Sequence, residues 1–323
     1  MAGTAAPATS WLLVADPGPW ARRAFEDSPL DPAAGSAIAA RAREQGARPL
    51  FIRRHGRRPT PRRFAFIDAV TRSVVWQDYE SLAEVAAADW TPNRPLADPL
   101  FLVCTHGRHD RCCAIAGRPV ARQFDHLRPQ TSWECSHLGG DRFASNVLAL
   151  PTGATYGFVD PLDVPALVAA TEQGQVYPPL LRGYSNLSPP QQAARIAAQT
   201  ESGRTGIDQL LVVGTEVIAP GRWRVQLADD QVQATVEVMQ ERVADARATC
   251  ALIRMGMSTP GAATRVSAPS SSQAWLMTRR RCASSIAKSF AMAAKGWSFW
   301  AWSGTIASWS TPSSLIRPSG ALC

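Results

Sequence analysis

Two short apolar runs, each joined to a loop rich in cysteine and histidine, constrain this chain more than any other feature. Residues 100–103 lead into Cys104, and residues 147–150 close the segment that begins at Cys135. The stretch 101–151 holds four of the seven cysteines and four of the five histidines. Short apolar runs predict buried strands. The sequence therefore predicts soft metal ligands on loops at strand ends, where a site is rigid yet reachable.

The charge of the chain is distributed unevenly. The 323 residues carry a net charge of +8 and are numerous enough for two domains. Residues 1–240 contain 24 Arg and no Lys against 24 acidic residues, whereas residues 241–323 contain ten basic and two acidic residues. A charge-neutral body argues against nucleic-acid binding as the main function.

The cysteine content and the N-terminus indicate a compartment. Seven cysteines are an odd number, and their spacing is unlike that of a small secreted disulfide framework. The apolar run at residues 11–15 is too short for a signal peptide or a membrane span. We therefore expect a cytoplasmic protein without stable membrane insertion, in which clustered thiols serve as metal ligands or redox groups.

The pattern of strands and helices predicts an α/β (α+β) fold with two domains. Residues 1–95 read as a smaller N-terminal α/β domain that ends in a proline-containing linker at 91–95. Residues 96–250 read as a second domain whose β-α-β-β-β-α order resembles a thioredoxin-like domain. Its predicted elements are strand 100–104, helix 118–127, strands 131–135, 143–150 and 155–159, and helix 164–174.

The last segment, 251–323, has an atypical composition rich in Ser, Ala, Arg and Trp. From residue 247 onward there is no Asp, Glu, Asn, His or Tyr. The codons of all these residues carry adenine in the middle position, so a reading-frame shift in a GC-rich gene would produce this depletion. We interpret the segment as a poorly ordered tail, with an amphipathic membrane-surface segment around residues 286–309 as the competing interpretation.

Five residues are candidate ligands for a metal centre: Cys104, Cys113, Cys135, His137 and Asp141. The eight residues between the first two cysteines are too many for a zinc knuckle, whose paired cysteines usually lie two to four residues apart. A [2Fe–2S] cluster takes four ligands, commonly Cys, and His can replace Cys on one iron. The glycines at 139 and 140 would allow a close approach of backbone N–H groups to sulfur.

Two separated motifs resemble a known family. Cys104-Thr-His-Gly-x-x-Asp-x-x-Cys113 is followed by Ser136-His137-Leu-Gly-Gly and then by Arg142-Phe-Ala-x-Asn146. Together they resemble the sucrase/ferredoxin-like family, a branch of the thioredoxin-like [2Fe–2S] ferredoxins, over about residues 10–250. The resemblance implies a cluster held by a Cys-x8-Cys pair and a His-x3-His pair. Cys104, Cys113 and His137 match that pattern, and Asp141 stands where the second His would be.

The fourth ligand is therefore open. Aspartate is a hard oxygen ligand and suits cluster iron poorly. Cys135 offers a thiolate instead and is separated from His137 by a single residue. We favour Cys135, with Asp141 as the alternative, and a degenerate site without a cluster is a third outcome.

Three functions compete. The resemblance implies one-electron transfer through a [2Fe–2S] cluster, by a ferredoxin-like carrier or a reductase of small iron complexes, with a redox protein or iron complex as partner. The second is thiol redox chemistry at Cys112 or Cys113, weakened by the absence of Cys-x-x-Cys at a helix start. The third is glycoside hydrolysis, for which no carboxylate pair stands out. We assign His106 and His109 loop-stabilising hydrogen bonds, with proton transfer as the alternative.

Overall fold

The computed structural model describes residues 1–57, 61–243 and 299–310. In this part of the chain, ten strands form one sheet and four strands form a second sheet. Helices lie between and after the strands. The mixture of helices and strands confirms the predicted α/β (α+β) class.

The N-terminal half of the ten-stranded sheet is one β-α-β-β-β-α-β unit. β1 pairs in parallel with β2 and antiparallel with β3, which continues antiparallel to β4 and β5. The elements are β1 (Ser10–Ala15), α1 (Pro32–Glu44), β2 (Ala47–Arg53), β3 (Arg63–Asp68), β4 (Ser73–Asp78), α2 (Leu82–Ala87) and β5 (Arg94–Pro95).

The second half repeats that order. β6 pairs in parallel with β7 and antiparallel with β8, which continues antiparallel to β9 and β10. The β-α-β-β-β-α order predicted for this region is confirmed. The elements are β6 (Leu100–Cys104), α3 (Arg111–Leu127), β7 (Ser132–Cys135), β8 (Val147–Leu150), β9 (Ala154–Tyr156), α4 (Val164–Glu172) and β10 (Leu181–Tyr184).

The two halves meet where β2 pairs antiparallel with β7. Ile52 lies opposite Cys135 and Arg53 lies opposite Glu134. The strand order across the sheet is β10-β9-β8-β6-β7-β2-β1-β3-β4-β5. Outward from this seam, corresponding strands of the two halves follow in the same order: β7-β6-β8-β9-β10 on one side and β2-β1-β3-β4-β5 on the other. The predicted division between residues 95 and 96 falls between the halves. Whether each half is an independent folding domain stays a prediction.

The central strands of both halves are covered on both faces. Every residue of β1 and of β6 is buried, which is why their sequences are continuous apolar runs rather than alternating ones. The first helix of each half begins at an acidic N-cap: the Asp31 side chain of α1 accepts from the Ala34 N–H, and the Asp110 side chain of α3 accepts from the Cys112 N–H. Each cap satisfies one backbone N–H that the first helical turn leaves without a partner.

A four-stranded sheet and one helix follow the ten-stranded sheet in the chain. The last helix among the described residues, α5 (Pro189–Ser202), packs Ala193, Ala194 and Ala198 against the second sheet. Residues 299–310 of the predicted tail form a strand paired with β13, and the rest of that tail lies outside the described residues. The poorly ordered, frame-shifted tail therefore stays a prediction. The strands are β11 (Leu211–Ala219), β12 (Arg222–Ala228), β13 (Gln233–Val243) and β14 (Phe299–Ser310).

Two predicted boundaries were wrong. The sequence placed the start of a helix at residue 118 because Pro119 suits a first turn, but α3 begins at Arg111 and contains Pro119 in its interior. The Asp110 cap sets this earlier start. The strand predicted at 143–150 is β8, which begins at Val147, because residues 141–143 form a single 3-10 turn. Among the described residues, no helix is long and apolar enough to cross a membrane.

Candidate metal centre

The candidate ligands are brought together by two parallel strands and one helix. Cys104 is the last residue of β6, and His137 follows the end of β7, the parallel neighbour of β6. Since parallel strands end at the same edge of a sheet, the two side chains meet there. Only the six residues 105–110 separate β6 from α3, so the first turn of α3 returns to the end of β6 with Cys113 buried.

Three side chains form a compact group. One ligand atom of each of Cys104, Cys113 and His137 lies within 4.8 Å of the others, and the Sγ of Cys113 lies 3.9 Å from the Nδ1 of His137. Both cysteines are buried and His137 is half-buried. Two thiols and an imidazole at this spacing can hold a metal ion. The chain places together the three residues that fit the two motifs best.

The two buried thiols differ in acidity. The hydrogen bond from Cys113 is the main cause that holds the pKa of Cys104 well below its usual value. His137 and the backbone N–H of His106 lower it further. The same hydrogen bond, together with burial, raises the pKa of Cys113. Cys104 is therefore the more acidic thiol of the pair, and the thiolate is the form that binds metal and attacks disulfides.

The two candidates for the fourth ligand lie outside the group of three. Cys135 is completely buried at the end of β7, in register with Cys104, and burial raises its pKa well above the usual value. Asp141 lies in the 3-10 turn after the second loop. Burial, followed by a hydrogen bond with the Asp110 carboxyl, raises the pKa of Asp141. The site thus offers a thiol from the sheet and a carboxyl from the loop.

Two histidines of the first loop tie it to the N-terminal half. The Nε2 of His106 lies 2.8 Å from the Ala21 carbonyl oxygen, and the Nδ1 of His109 lies 3.2 Å from that of Arg22. The ring of His109 also stacks on His137, with centroids 3.7 Å apart. Burial is the main cause that lowers the pKa of His106 to about 4, so it is neutral at pH 7. These contacts agree with the predicted loop-stabilising role.

The second loop is organised by a buried arginine that the sequence did not single out. Arg182 on β10 is 1 % exposed and donates to the Gly139 carbonyl at 3.1 Å and to the Asn146 Oδ1 at 2.6 Å. Gly140 adopts a φ of +77°, and a Cβ there would stand 2.3 Å from the Arg182 guanidinium. A side chain at residue 140 would therefore displace the group that holds the loop.

A second arginine completes the positive surroundings of the thiols. Arg48 on β2 donates to the Leu138 carbonyl at 3.0 Å, and burial lowers its pKa while the neighbouring Cys135 and Cys104 oppose that shift. Burial is also the main cause that lowers the pKa of Arg182, to about 9. The signal for Arg182 in the sequence is an arginine inside the otherwise apolar strand β10. Its partners are distant in sequence, so pattern reasoning could not assign it to the site.

A buried carboxylate links this edge of the site to the N-terminal half. Glu134 on β7 accepts from Arg53 at 2.7 Å and from the Thr105 hydroxyl at 2.9 Å, and lies 2.8 Å from the Nδ1 of His55. Burial raises the pKa of Glu134, but the Arg53 charge and the hydrogen bonds outweigh burial and lower it overall. Glu134 is therefore ionised, and it fixes the strand that carries Cys135.

Comparisons with known proteins identify the family of the chain. A family model described as sucrase/ferredoxin-like matches residues 1–183, more than half of the chain. The chain is also 33% identical over 102 residues to "Altered inheritance of mitochondria protein 32" of Meyerozyma guilliermondii, a match that covers 28% of this chain and 36% of that protein. The chain thus spans about a third of the length of this relative.

Proposed function

Because the chain belongs to the sucrase/ferredoxin-like family, we propose that it carries a [2Fe–2S] cluster with mixed Cys and His ligation and transfers single electrons. It would act as a ferredoxin-like carrier or as a reductase of small iron complexes, with a redox protein or such a complex as its partner. The observation that carries the proposal is the convergence of Cys104, Cys113 and His137 within 4.8 Å. The free thiols favour the cytoplasm, where the compartment is reducing.

The donor set fits such a cluster. Thiolates and imidazoles are the ligands that [2Fe–2S] clusters take, and a His ligand raises the reduction potential. The bound cluster would supply one-electron exchange. The protein contributes the rigid ends of β6 and β7, the positive charges of the half-buried Arg48 and the buried Arg182, and a hydrogen bond from the His106 backbone N–H to the Cys104 sulfur. Positive charge and hydrogen bonds at sulfur both set the potential.

Cys135 and Asp141 both stay candidates for the fourth ligand. Cys135 has the softer donor atom, and its register with Cys104 puts the two residues side by side on neighbouring strands. Asp141 has the position that the family pattern gives to a histidine, and its carboxyl lies close enough to His137 to feel that ring's charge. Chemistry therefore favours the cysteine, and loop position favours the aspartate.

A thiol redox function is the second candidate, and the contact between Cys104 and Cys113 favours it. The two thiols are hydrogen-bonded, and one of them has a lowered pKa. A thiolate next to a second thiol can exchange with a substrate disulfide and then form an internal disulfide. In this reading Cys113, in the first turn of α3, is the resolving thiol. The pair replaces the Cys-x-x-Cys arrangement that the chain lacks.

Anaerobic purification distinguishes the two functions. We expect two irons and two acid-labile sulfides per chain together with visible absorption bands, and we expect serine at Cys104 or Cys113 to abolish them. Cys112→Ser is the matched control because Cys112 is the direct neighbour of Cys113 and is outside the group of three. A colourless, iron-free protein that forms an internal disulfide and reduces disulfide substrates would refute the cluster.

Separate alanine variants identify the fourth ligand. Only the true ligand should change the electron paramagnetic resonance spectrum of the reduced protein or lose the cluster. If Cys135→Ala and Asp141→Ala both leave the spectrum unchanged, neither residue is a ligand. The comparison requires intact folding of each variant, which circular dichroism checks.

A further inference from the structure

A cleft with strong positive charge adjoins the metal centre without containing any of its ligands. It has a volume of about 400 Å³ and lies between Trp20 of the N-terminal half, the loop 105–108, and the outer face of α3. Volumes of this size are typical of sites for small molecules. The cleft is concave because the long loop after β1 reaches across to His106 and forms its far wall.

Four arginines line the cleft: Arg53, Arg108, Arg111 and Arg118. Arg53 forms an ion pair with Glu134, in which a guanidinium nitrogen lies 2.7 Å from a carboxylate oxygen. The other three side chains are exposed and form no hydrogen bond or ion pair with any residue that the structure describes. No Asp or Glu is among the described residues that line the cleft. Three positive charges thus face the cleft without an acidic partner.

The spacing of these charges indicates the shape of the ligand. Arg111 and Arg118 are seven residues apart on α3, which corresponds to about 10 Å along a helix. Between them Ile115 is 68 % exposed on the same face. Two carboxylates on a short carbon skeleton offer each of these arginines a planar partner of its own. Arginine is also the residue that binds carboxylates through two parallel hydrogen bonds.

We propose that this arginine-lined cleft binds a small organic polycarboxylate. The carboxylates pair with Arg108, Arg111 and Arg118, and the carbon skeleton lies on Ile115. Thr105 of the cleft wall follows Cys104 directly in the chain, and Ala114 follows Cys113 directly, so the ligand lies beside the metal centre. We further infer that the polycarboxylate brings a ferric ion as electron acceptor, and this second claim rests on the proposed function. The binding of the polycarboxylate to the cleft is independent of the proposed function.

Citrate is the probe, measured by isothermal titration calorimetry on the full chain with and without a cluster. We expect the double variant Arg111→Gln, Arg118→Gln to bind citrate about tenfold more weakly or worse, because two charge-assisted contacts are lost. Arg122→Gln is the matched control: Arg122 is an exposed arginine of the same helix and does not line the cleft, so its loss should change the affinity less than about twofold.

Each outcome decides one of the two claims. Equal citrate affinity in the wild type and the double variant overturns the cleft, as does inorganic phosphate that binds as tightly as citrate. Binding of an acidic peptide with the same arginine dependence, and none of citrate, overturns it in favour of a protein partner. Citrate binding by a chain that holds no iron after anaerobic purification supports the cleft and refutes the cluster, whereas a purified chain that carries the cluster and binds no citrate does the reverse.

Discussion

The two halves of the large sheet have the same element order but very different chemistry. In the second half, α3 begins seven residues after β6 ends, and its first turn brings Cys113 back to Cys104. In the first half, α1 begins only at Pro32, long after β1 ends at Ala15, and the intervening loop reaches over to the other half instead. The length of one loop thus decides whether a strand end and a helix start form a site.

The residue types differ accordingly. The described part of the N-terminal half has no cysteine, whereas the second half has Cys104, Cys112, Cys113 and Cys135. The first half contributes support instead: Ala21 and Arg22 accept hydrogen bonds from the loop histidines, and Arg53 pairs with Glu134. One half carries the candidate ligands and the other holds them in position. Matched substitutions, the first two pairs drawn from corresponding positions of the two halves, test this division of roles.

The largest effect is expected at the edge strands, β10 and β5. Arg182→Met removes hydrogen bonds to the buried Gly139 carbonyl and Asn146, so we expect a loss of about 4 kcal/mol in unfolding free energy. Arg94→Met, in the matching strand of the first half, removes an exposed side chain and should cost less than about 0.5 kcal/mol. Urea unfolding measures both. Equal losses would mean that Arg182 does not organise the second loop.

A smaller effect is expected at two helix glycines. An added Cβ would stand 2.1 Å from the Cys104 carbonyl oxygen at Gly117 on α3, and 2.0 Å from that of Phe25 at Gly35 on α1. Since backbone must move in both cases, we expect each alanine variant to lose about 3 kcal/mol. Only Gly117→Ala moves α3 away from β6.

Metal binding separates these two glycine variants. Co²⁺ bound by thiolates absorbs visibly, and we expect Gly117→Ala to weaken its binding at least tenfold while Gly35→Ala retains wild-type affinity. Weakened binding in both variants would show that the site depends on the whole sheet rather than on the α3–β6 contact.

A third test addresses the seam through Glu134. Its pKa is lowered in the folded state, so its contribution to stability is present above the ordinary value of 4.5 and is lost as pH falls through the lower folded-state pKa. We expect Glu134→Gln to cost about 2 kcal/mol at pH 7, a difference that shrinks below pH 4.5. Glu172→Gln, which breaks the more exposed pair with Arg128, should cost less than about 1 kcal/mol. A pH-independent cost for Glu134→Gln would contradict this account.

The smallest effect is expected at His109. His109→Ala removes the stacking on His137 and the hydrogen bond to Arg22, both on an exposed loop, and should cost less than about 1 kcal/mol. We expect Co²⁺ affinity to fall a few-fold because His137 is less well oriented. His126→Ala, at the exposed end of α3, is the control and should change neither quantity. Unchanged Co²⁺ binding in the His109 variant would show that the stacking has no role.

The sequence predicted what depends on local pattern. The apolar run before Cys104 is a buried strand, and the residues that match the two motifs lie together. The start of α3 was wrong because Pro119 suits a first turn better than an interior, and only the Asp110 hydrogen bond reveals the true start. Arg48 and Arg182 could not be assigned because their partners are far away in the chain, and the β2–β7 pairing is equally non-local.

The mirrored strand order about β2 and β7 has an evolutionary consequence. Two identical units that pair edge to edge across a twofold axis form a symmetric dimer, in which each contact occurs twice. Two such units on one chain keep the pairing while their sequences diverge independently. One unit can then lose every cysteine without loss of the sheet, because packing alone preserves its strands. The N-terminal half contains no cysteine, which is the composition expected of a unit that supports the site and supplies no thiol ligand to it.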